Sequence, residues 1–111
     1  MAEHIIMVLI ACADEAEARR IGHALVAARL AACVHLRPHT AIYRWQGSIE
    51  EAAEYSLLAK TTAARFAALR EAVLALHSYE LPAIVALPVC DGHTPFLAWV
   101  AAETAPAGQK G

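Results

Sequence analysis

The chain has 111 residues, which makes one domain with a single hydrophobic core. It is 59% hydrophobic and 18% charged, with a mean hydropathy of +0.42, which is apolar for so small a protein. Alanine accounts for part of this excess, and the rest suggests surface that is hidden in an oligomer. The net charge of −2 excludes electrostatic attraction to nucleic-acid phosphates or acidic membranes, so we expect neither partner.

The longest apolar run, residues 5–13, is too short to cross a bilayer. A signal peptide would carry a basic residue ahead of such a run, whereas here Glu3 precedes it and a helix start follows. Cys12, Cys33 and Cys90 are odd in number and widely spaced, which fits reduced thiols better than a disulfide framework. We therefore expect a cytoplasmic protein.

Residues 4–36 predict a first strand–helix–strand unit. An apolar run leads to Asp14, which can cap a helix, and Glu17 follows three residues later as in a capping box. The helix carries one apolar stripe, formed by Ala18, Ile21, Leu25 and Ala28. A further apolar run after the helix predicts the second strand.

Residues 55–89 repeat the same plan. Thr61 or Thr62 can cap the helix of this second unit. Its apolar stripe consists of Phe66, Leu69, Val73 and Leu76. Pro82 follows the helix, and residues 83–89 are predicted to form a short buried strand bounded by prolines.

Two such units, joined by a turn at residues 46–48, predict an α+β fold. This is the ferredoxin-like split βαβ sandwich, in the order βαββαβ, with an antiparallel sheet and its helices on one face. Residues 48–60 are rich in helix formers, but the repeat requires strand at 55–60 and leaves 50–54 open. Thr94 and Pro95 begin a C-terminal helix. We expect one domain over residues 1–104 and a flexible tail at 105–111.

The first strand also predicts self-association. Two helices can cover only one face of the sheet, yet residues 5–10 are apolar at every position. Both faces of that strand therefore require burial, and the chain has no further element large enough to cover the second face. A closed, symmetric homo-oligomer is the simplest arrangement that would do so.

Two groups of polar residues are candidate sites. Cys33 and His35 lie two apart on a predicted strand, so they share a face and could bind copper or zinc, or be a buried thiol beside a hydrogen-bonded imidazole. His77, Tyr79 and Glu80 follow the second helix, where they could bind a ligand or form hydrogen bonds between subunits. His77 alone is not a metal site, and the thiols of Cys12 or Cys33 could assist only if folding or a symmetry axis brings them close.

Enzymatic motifs are absent from the sequence. It has no CxxC, HExxH or glycine-rich phosphate loop, and no serine lies in a nucleophile-elbow sequence. The central strands are aliphatic and lack the stacking aromatics of an RNA-binding sheet. We therefore expect a protein that is not an enzyme.

Five fragments in order and at matching spacing resemble the CutA family, the divalent-cation tolerance proteins. The fragments are "LAACVHLRP", "IYRWQGSIE", "LLAKT", "LHSYELPAIVALPV" and "FLAWV". The resemblance implies a non-enzymatic homotrimer of ferredoxin-like subunits, similar in build to the PII signalling proteins. It also implies that residues 50–54 belong to a long strand of a β-hairpin that reaches a neighbouring subunit. Tyr43 and Trp45 would lie on this hairpin, and Tyr79 and Glu80 near the same interface.

The resemblance further implies a link to divalent metals, above all copper, without an obligatory cofactor. Members with a described copper site have a thiol where this chain has Ile10, and a histidine pair where it has Leu76 and His77. The family commonly has Asn at position 35, Gly at 39 and an acidic residue at 83, where this chain has His, His and Ala. The metal-site prediction is therefore His77, with Cys33 and His35 as ligands particular to this sequence. Small-molecule sensing of the PII kind and a trimeric scaffold are the alternative functions.

Overall fold

Residues 4–106 of this computed structural model are described, and they alternate strands and helices in the order βαββαβα. The strands are β1 (Ile5–Cys12), β2 (Cys33–Trp45), β3 (Ser48–Thr62) and β4 (Ile84–Pro88). The helices are α1 (Glu15–Ala27), α2 (Phe66–Leu76) and α3 (Thr94–Glu103), and a 3-10 turn at Ala63–Arg65 precedes α2. Among these residues no helix is both long and apolar enough to span a membrane. The predicted tail at 105–111 lies mostly outside the described residues.

The four strands form one antiparallel sheet in the order β2-β3-β1-β4. Strands β2 and β3 are a hairpin, while β1 lies between β3 and β4, so each strand–helix–strand unit is split by a strand of the other. This topology confirms the predicted ferredoxin-like split βαβ sandwich. Helices α1 and α2 pack on one face of the sheet, where the core includes Val8, Ile10, Ile21, Leu25, Leu57, Leu69 and Val73.

Helix α1 begins as the sequence predicts. The Asp14 backbone is extended, and its carboxylate accepts a 2.9 Å hydrogen bond from the Glu17 N–H, which fixes the first turn. The predicted stripe is wrong at its end, because Ala28 lies beyond the last helical residue and is exposed. Gly22 is buried in this helix, although it is not part of the predicted stripe. A Cβ at Gly22 would lie only 3.0 Å from Val34 Cγ2, so the helix approaches β2 closely at this point.

The predicted cap of the second helix is wrong. Thr61 pairs with Ile6 and belongs to β3, which continues to Thr62, and neither hydroxyl caps a helix. A 3-10 turn intervenes, and α2 then begins after Arg65, which makes no side-chain cap. The β-branched threonines extend the strand because their side chains suit a pleated surface. Leu76, the last residue of the predicted stripe, is exposed at the end of α2.

Residues 48–60 are strand throughout, as the repeat and the resemblance predict. Each residue of β2 has a partner in β3, from Cys33 opposite Lys60 to Trp45 opposite Ser48. Gln46 and Gly47 close the hairpin with positive φ values of 50° and 87°. Positive φ at both residues of a two-residue turn matches the right-handed twist of the flanking strands. Pairing along thirteen residues of β2 therefore outweighs the helix propensity of 50–54.

The face of the sheet opposite α1 and α2 carries alternate side chains of all four strands, and we call it the open face. Its aliphatic residues include Leu9, Leu58, Val85 and Leu87. Val85 is 52% exposed and Leu87 is 44% exposed in the single chain. The prediction of a strand within residues 83–89 is confirmed, but its burial in the single chain is wrong, because β4 is an edge strand.

Helix α3 closes one end of the sheet. Val100 is buried with Ile5 and Ala32 in a second, smaller hydrophobic cluster. Phe96 and Trp99 lie against each other on the same helix, with ring centroids 5.7 Å apart, and both are partly exposed. The C-terminal helix predicted from Thr94 is thus confirmed, and it leaves an aromatic pair at the surface.

Prolines mark both edges of the sheet. Pro38 lies near the middle of β2 and Pro88 is the last residue of β4. Proline lacks the N–H that a strand interior requires, so within sheets it is confined to edge strands and strand ends. The two positions therefore agree with the observed strand order.

Candidate metal site

His77 is the residue that follows α2, and its side chain is fully buried. The backbone N–H of Tyr79 lies 3.0 Å from Nδ1, and the carbonyl oxygen of Ala11 lies 2.7 Å from Nε2. A backbone N–H can only donate and a carbonyl can only accept. Nδ1 therefore accepts a hydrogen bond through its lone pair, and Nε2 carries the proton. The bond from Nε2 to Ala11 orients the ring against the end of β1.

Glu17 joins the first turn of α1 to the segment after α2. Its Oε1 accepts a 2.8 Å hydrogen bond from the Ala13 N–H, and its Oε2 accepts a 2.7 Å bond from the Ser78 N–H. Burial alone would raise the pKa of this carboxyl group, but the hydrogen bonds from Ala13 and Ser78 outweigh burial and lower it. Glu17 is therefore a buried carboxylate, and Arg20 Nη2 lies 3.7 Å from it.

Cys12 is the last residue of β1 and is fully buried. Burial and then the negative charge of Glu17 raise the pKa of its thiol to about 12, so the group carries its proton at neutral pH. One donor atom from each of Cys12, Glu17 and His77 lies within 4.8 Å of the others. Thiol, carboxylate and imidazole suit transition metals such as zinc and copper, whereas calcium and magnesium prefer oxygen ligands alone.

The other two predicted metal ligands lie elsewhere. Cys33 and His35 begin β2 and point to the open face, where the Lys60 ammonium lies 2.9 Å from His35 Nδ1. Lys60 pairs with Met7, which is four residues along β1 from the Ala11 carbonyl that holds His77. At about 3.3 Å per residue, Cys33 opposite Lys60 lies about 13 Å along the strand from that carbonyl, and His35 opposite Leu58 lies about 7 Å from it. Both residues are also separated from β1 by the intervening strand β3. Within one chain the structure therefore does not bring Cys33 or His35 to His77.

Tyr79 belongs to a hydrogen-bonded chain that the sequence did not predict. Its phenol donates to Glu54 Oε2 at 2.8 Å, the other oxygen of Glu54 lies 2.9 Å from His39 Nε2, and Ser56 Oγ lies 2.5 Å from His39 Nδ1. Burial raises the pKa of the Tyr79 phenol, and the bond to Glu54 raises it further. Glu80, by contrast, is exposed and forms no ion pair with any residue in the range 4–106.

The hairpin end carries the predicted interface aromatics. Tyr43 and Trp45 point to the same face of β2, and Trp45 is 36% exposed. Ile42 and Ile49 lie nearby on the opposite face and are 68% and 69% exposed. A projecting apolar end has little of its own chain to pack against, so these side chains are available to a partner.

Sequence reasoning named His77, and Cys12 only on the condition that folding brings it close, but it did not find Glu17. The nearest candidates in sequence were Tyr79 and Glu80, whereas the structure places Cys12 and Glu17 beside the imidazole. The one available signal was the cap at the start of α1. A glutamate in the first turn after a strand points its carboxylate back towards the end of that strand, where Cys12 lies.

Comparison with known proteins defines the class. A family model described as "CutA1 divalent ion tolerance protein" matches residues 6–103. The divalent-cation tolerance protein CutA of Thermus thermophilus is 50% identical over 99 residues, which are 88% of this chain and 96% of that protein. The mouse protein CutA is 42% identical over 92% of this chain, which spans only 58% of the mouse relative.

Solved structures agree with the sequence comparison. The structure of "the Periplasmic divalent cation tolerance protein CutA from Archaeoglobus fulgidus" superposes with a TM-score of 0.90 at 36% identity, covering 91% of this chain and 99% of that one. CutA1 from Oryza sativa superposes with a TM-score of 0.91 at 30% identity, covering 94% and 96%. This chain therefore belongs to the CutA1 family of divalent ion tolerance proteins.

Proposed function

We propose that the protein is a cytoplasmic, trimeric divalent-cation tolerance protein that binds copper or another divalent metal weakly and catalyses no reaction. The observation that carries the proposal is the family match across residues 6–103, joined with the shared fold of the relatives named for divalent-cation tolerance. The chain has 50% identity to one of these relatives, which supports a common role.

The open face supports the trimer. Leu9, Val85 and Leu87 are each more than two-fifths exposed there in the single chain, and the hairpin end carries further exposed apolar residues. Contiguous apolar surface of this kind on a small protein marks an interface. Tyr43 and Trp45 on the hairpin, with Tyr79 and Glu80 near it, are the proposed interface residues.

Weak metal binding follows from what surrounds the proposed ligands. His77 already has both ring nitrogens in hydrogen bonds, and His35 lies against a lysine ammonium. A metal ion that binds His77 at Nδ1 must displace the Tyr79 N–H, and one that binds His35 must displace the lysine ammonium, so the affinity falls below that of a preformed site. Copper is favoured among the divalent ions because it lies at the high-affinity end of the series and suits imidazole.

Native mass spectrometry of protein purified without chelator, followed by calorimetric titration with copper(II), tests the proposal. We expect the mass of three chains and weak binding that decreases in His77→Ala. A stable monomer at low micromolar concentration would contradict the trimer. Equal copper(II) binding by the parent and His77→Ala would exclude His77 as a metal ligand and would point to Cys33 and His35 as the ligands.

The two alternatives predict different results in the same experiments. A sensor of the PII kind would be stabilised against heat by a small molecule such as a nucleotide without added metal. A scaffold would be a trimer that responds to neither metal nor small molecule. Stabilisation by copper(II) but not by nucleotides supports the metal-binding role.

A further inference from the structure

We propose that Cys12, Glu17 and His77 together hold the metal ion, as a buried site of thiolate, carboxylate and imidazole for a divalent first-row transition metal. The inference rests on the proposed function, since it specifies where that protein would bind its ion. It also replaces Tyr79 and Glu80, the nearest polar neighbours in sequence, as the companions of His77.

The three donor atoms are close enough to share one ion. They lie within 4.8 Å of one another, and His77 Nδ1 is 3.7 Å from Glu17 Oε1. Ligand atoms around a tetrahedral zinc ion lie about 3.5 Å apart, because the bonds are about 2.0–2.3 Å long. A contraction of about 1 Å at the widest separation would therefore suffice.

Three different elements position these ligands. Cys12 ends β1, Glu17 lies in the first turn of α1, and His77 follows the last residue of α2. Backbone hydrogen bonds from Ala13 and Ser78 to Glu17 tie the three elements together. The cluster is thus held by the fold itself, not by a single exposed loop.

The orientation of His77 is that of a metal ligand. Histidines that bind metals usually donate their second ring N–H to a carboxylate or a backbone carbonyl, which fixes the tautomer and the ring. His77 donates Nε2–H to the Ala11 carbonyl at 2.7 Å, and its unprotonated Nδ1 lies 3.7 Å from Glu17 Oε1. The bound ion would take the place of the Tyr79 N–H that now donates to Nδ1.

The charges also balance. A divalent ion held by the Cys12 thiolate, the Glu17 carboxylate and a neutral His77 forms a site without net charge. Burial penalises net charge, so a neutral assembly suits a cluster in which Cys12 is inaccessible and Glu17 is 4% exposed. Binding releases one proton, from the thiol, while the electron pair of the S–H bond forms the bond to the metal.

Cobalt(II) absorption tests the ligand set, because a thiolate bound to cobalt gives a charge-transfer band in the near ultraviolet. We expect this band in the parent protein and in the double variant Cys33→Ser/Cys90→Ser, where Cys12 is the only thiol. We expect its loss in Cys12→Ser, together with at least about a tenfold weaker affinity for cobalt(II). Zinc(II) should remove the band from the parent by competition.

X-ray absorption of the zinc-loaded parent and double variant tests the same site without changing it, with one sulfur among nitrogen and oxygen ligands as the expected result. A band that survives in Cys12→Ser, or that disappears in the double variant, would overturn the site. Copper(II) binding without any sulfur ligand would overturn it and leave the proposed function intact. Absence of binding by both copper(II) and cobalt(II) would contradict both.

Discussion

The phenol of Tyr79 donates a 2.8 Å hydrogen bond to Glu54, whose carboxylate is 5% exposed. The two residues are twenty-five positions apart, and the bond joins the segment after α2 to the middle of β3. His39 from β2 reaches the second oxygen of the same carboxylate. One buried glutamate therefore holds together the hairpin and the segment that carries His77.

Tyr79→Phe is expected to destabilise the protein by about 1–3 kcal/mol, because it leaves one oxygen of a buried carboxylate without a hydrogen-bond donor. Urea unfolding at a fixed protein concentration measures the change. Tyr55→Phe is the matched control, since its phenol donates to the exposed Glu15. If the two substitutions lower the free energy of unfolding equally, the hydrogen bond from Tyr79 to buried Glu54 contributes no more to stability than the exposed bond from Tyr55.

Glu17→Gln is expected to make stability less dependent on pH. The pKa of Glu17 is lower in the folded chain than the ordinary value of 4.5, so its contribution is complete above that value. The contribution is lost as the pH falls through the folded-state pKa. The difference in unfolding free energy between parent and variant, about 1–3 kcal/mol at neutral pH, should therefore shrink below about pH 4.

Glu15→Gln is the control for this pH effect. The hydrogen bond from Arg19 also lowers the pKa of Glu15, but this carboxylate is exposed and its ion pair is screened by solvent. The control should change the pH dependence of unfolding much less than Glu17→Gln does. A difference for Glu17→Gln that stays constant from pH 7 to pH 3 would contradict the buried-carboxylate assignment.

Trp45→Ala is expected to weaken assembly while the fold of the subunit persists. The indole lies near the end of a projecting hairpin and is partly exposed in the single chain. Buried aromatic anchors contribute a few kcal/mol to association. Light scattering during dilution should show dissociation of the variant at higher concentration than the parent, with unchanged circular dichroism. If the variant stays assembled on dilution as readily as the parent, Trp45 does not contribute to the interface.

The three thiols should differ in reactivity towards a disulfide reagent. Cys90 is exposed, Cys33 is half-buried, and Cys12 is inaccessible with a raised pKa. Since the thiolate is the reacting species, Cys12 should react only as the protein unfolds. The fastest phase should vanish in Cys90→Ser. Loss of that phase in Cys12→Ser instead would place Cys12 at the surface.

The fold was predictable because local and repeated signals agree. The cap at Asp14 and Glu17, the turn at residues 46–48 and the apolar runs each have a short-range physical cause. Residues 50–54 show the limit, since their helix propensity was overridden by pairing with β2, which lies earlier in the chain. The repeat left these residues open, and only the resemblance pointed to a strand there.

The candidate site was predictable only in part. His77 stood out as a polar residue after an apolar helix, but its neighbours come from sixty or more residues earlier in the chain. The bond between Tyr79 and Glu54 likewise depends on how α2 returns to the sheet. Spacing in sequence carries no information about such contacts until the topology is known.

The proline near the middle of β2 limits how other chains can attach to this sheet. An edge strand invites further strands, and repeated addition along it is a route to fibres. Pro38 offers no N–H and puts a ring where an added strand would need a donor, which divides the edge into residues 33–37 and 39–45. Neighbouring chains can thus pair with either half but not with the whole edge, so open-ended polymerisation along β2 is disfavoured.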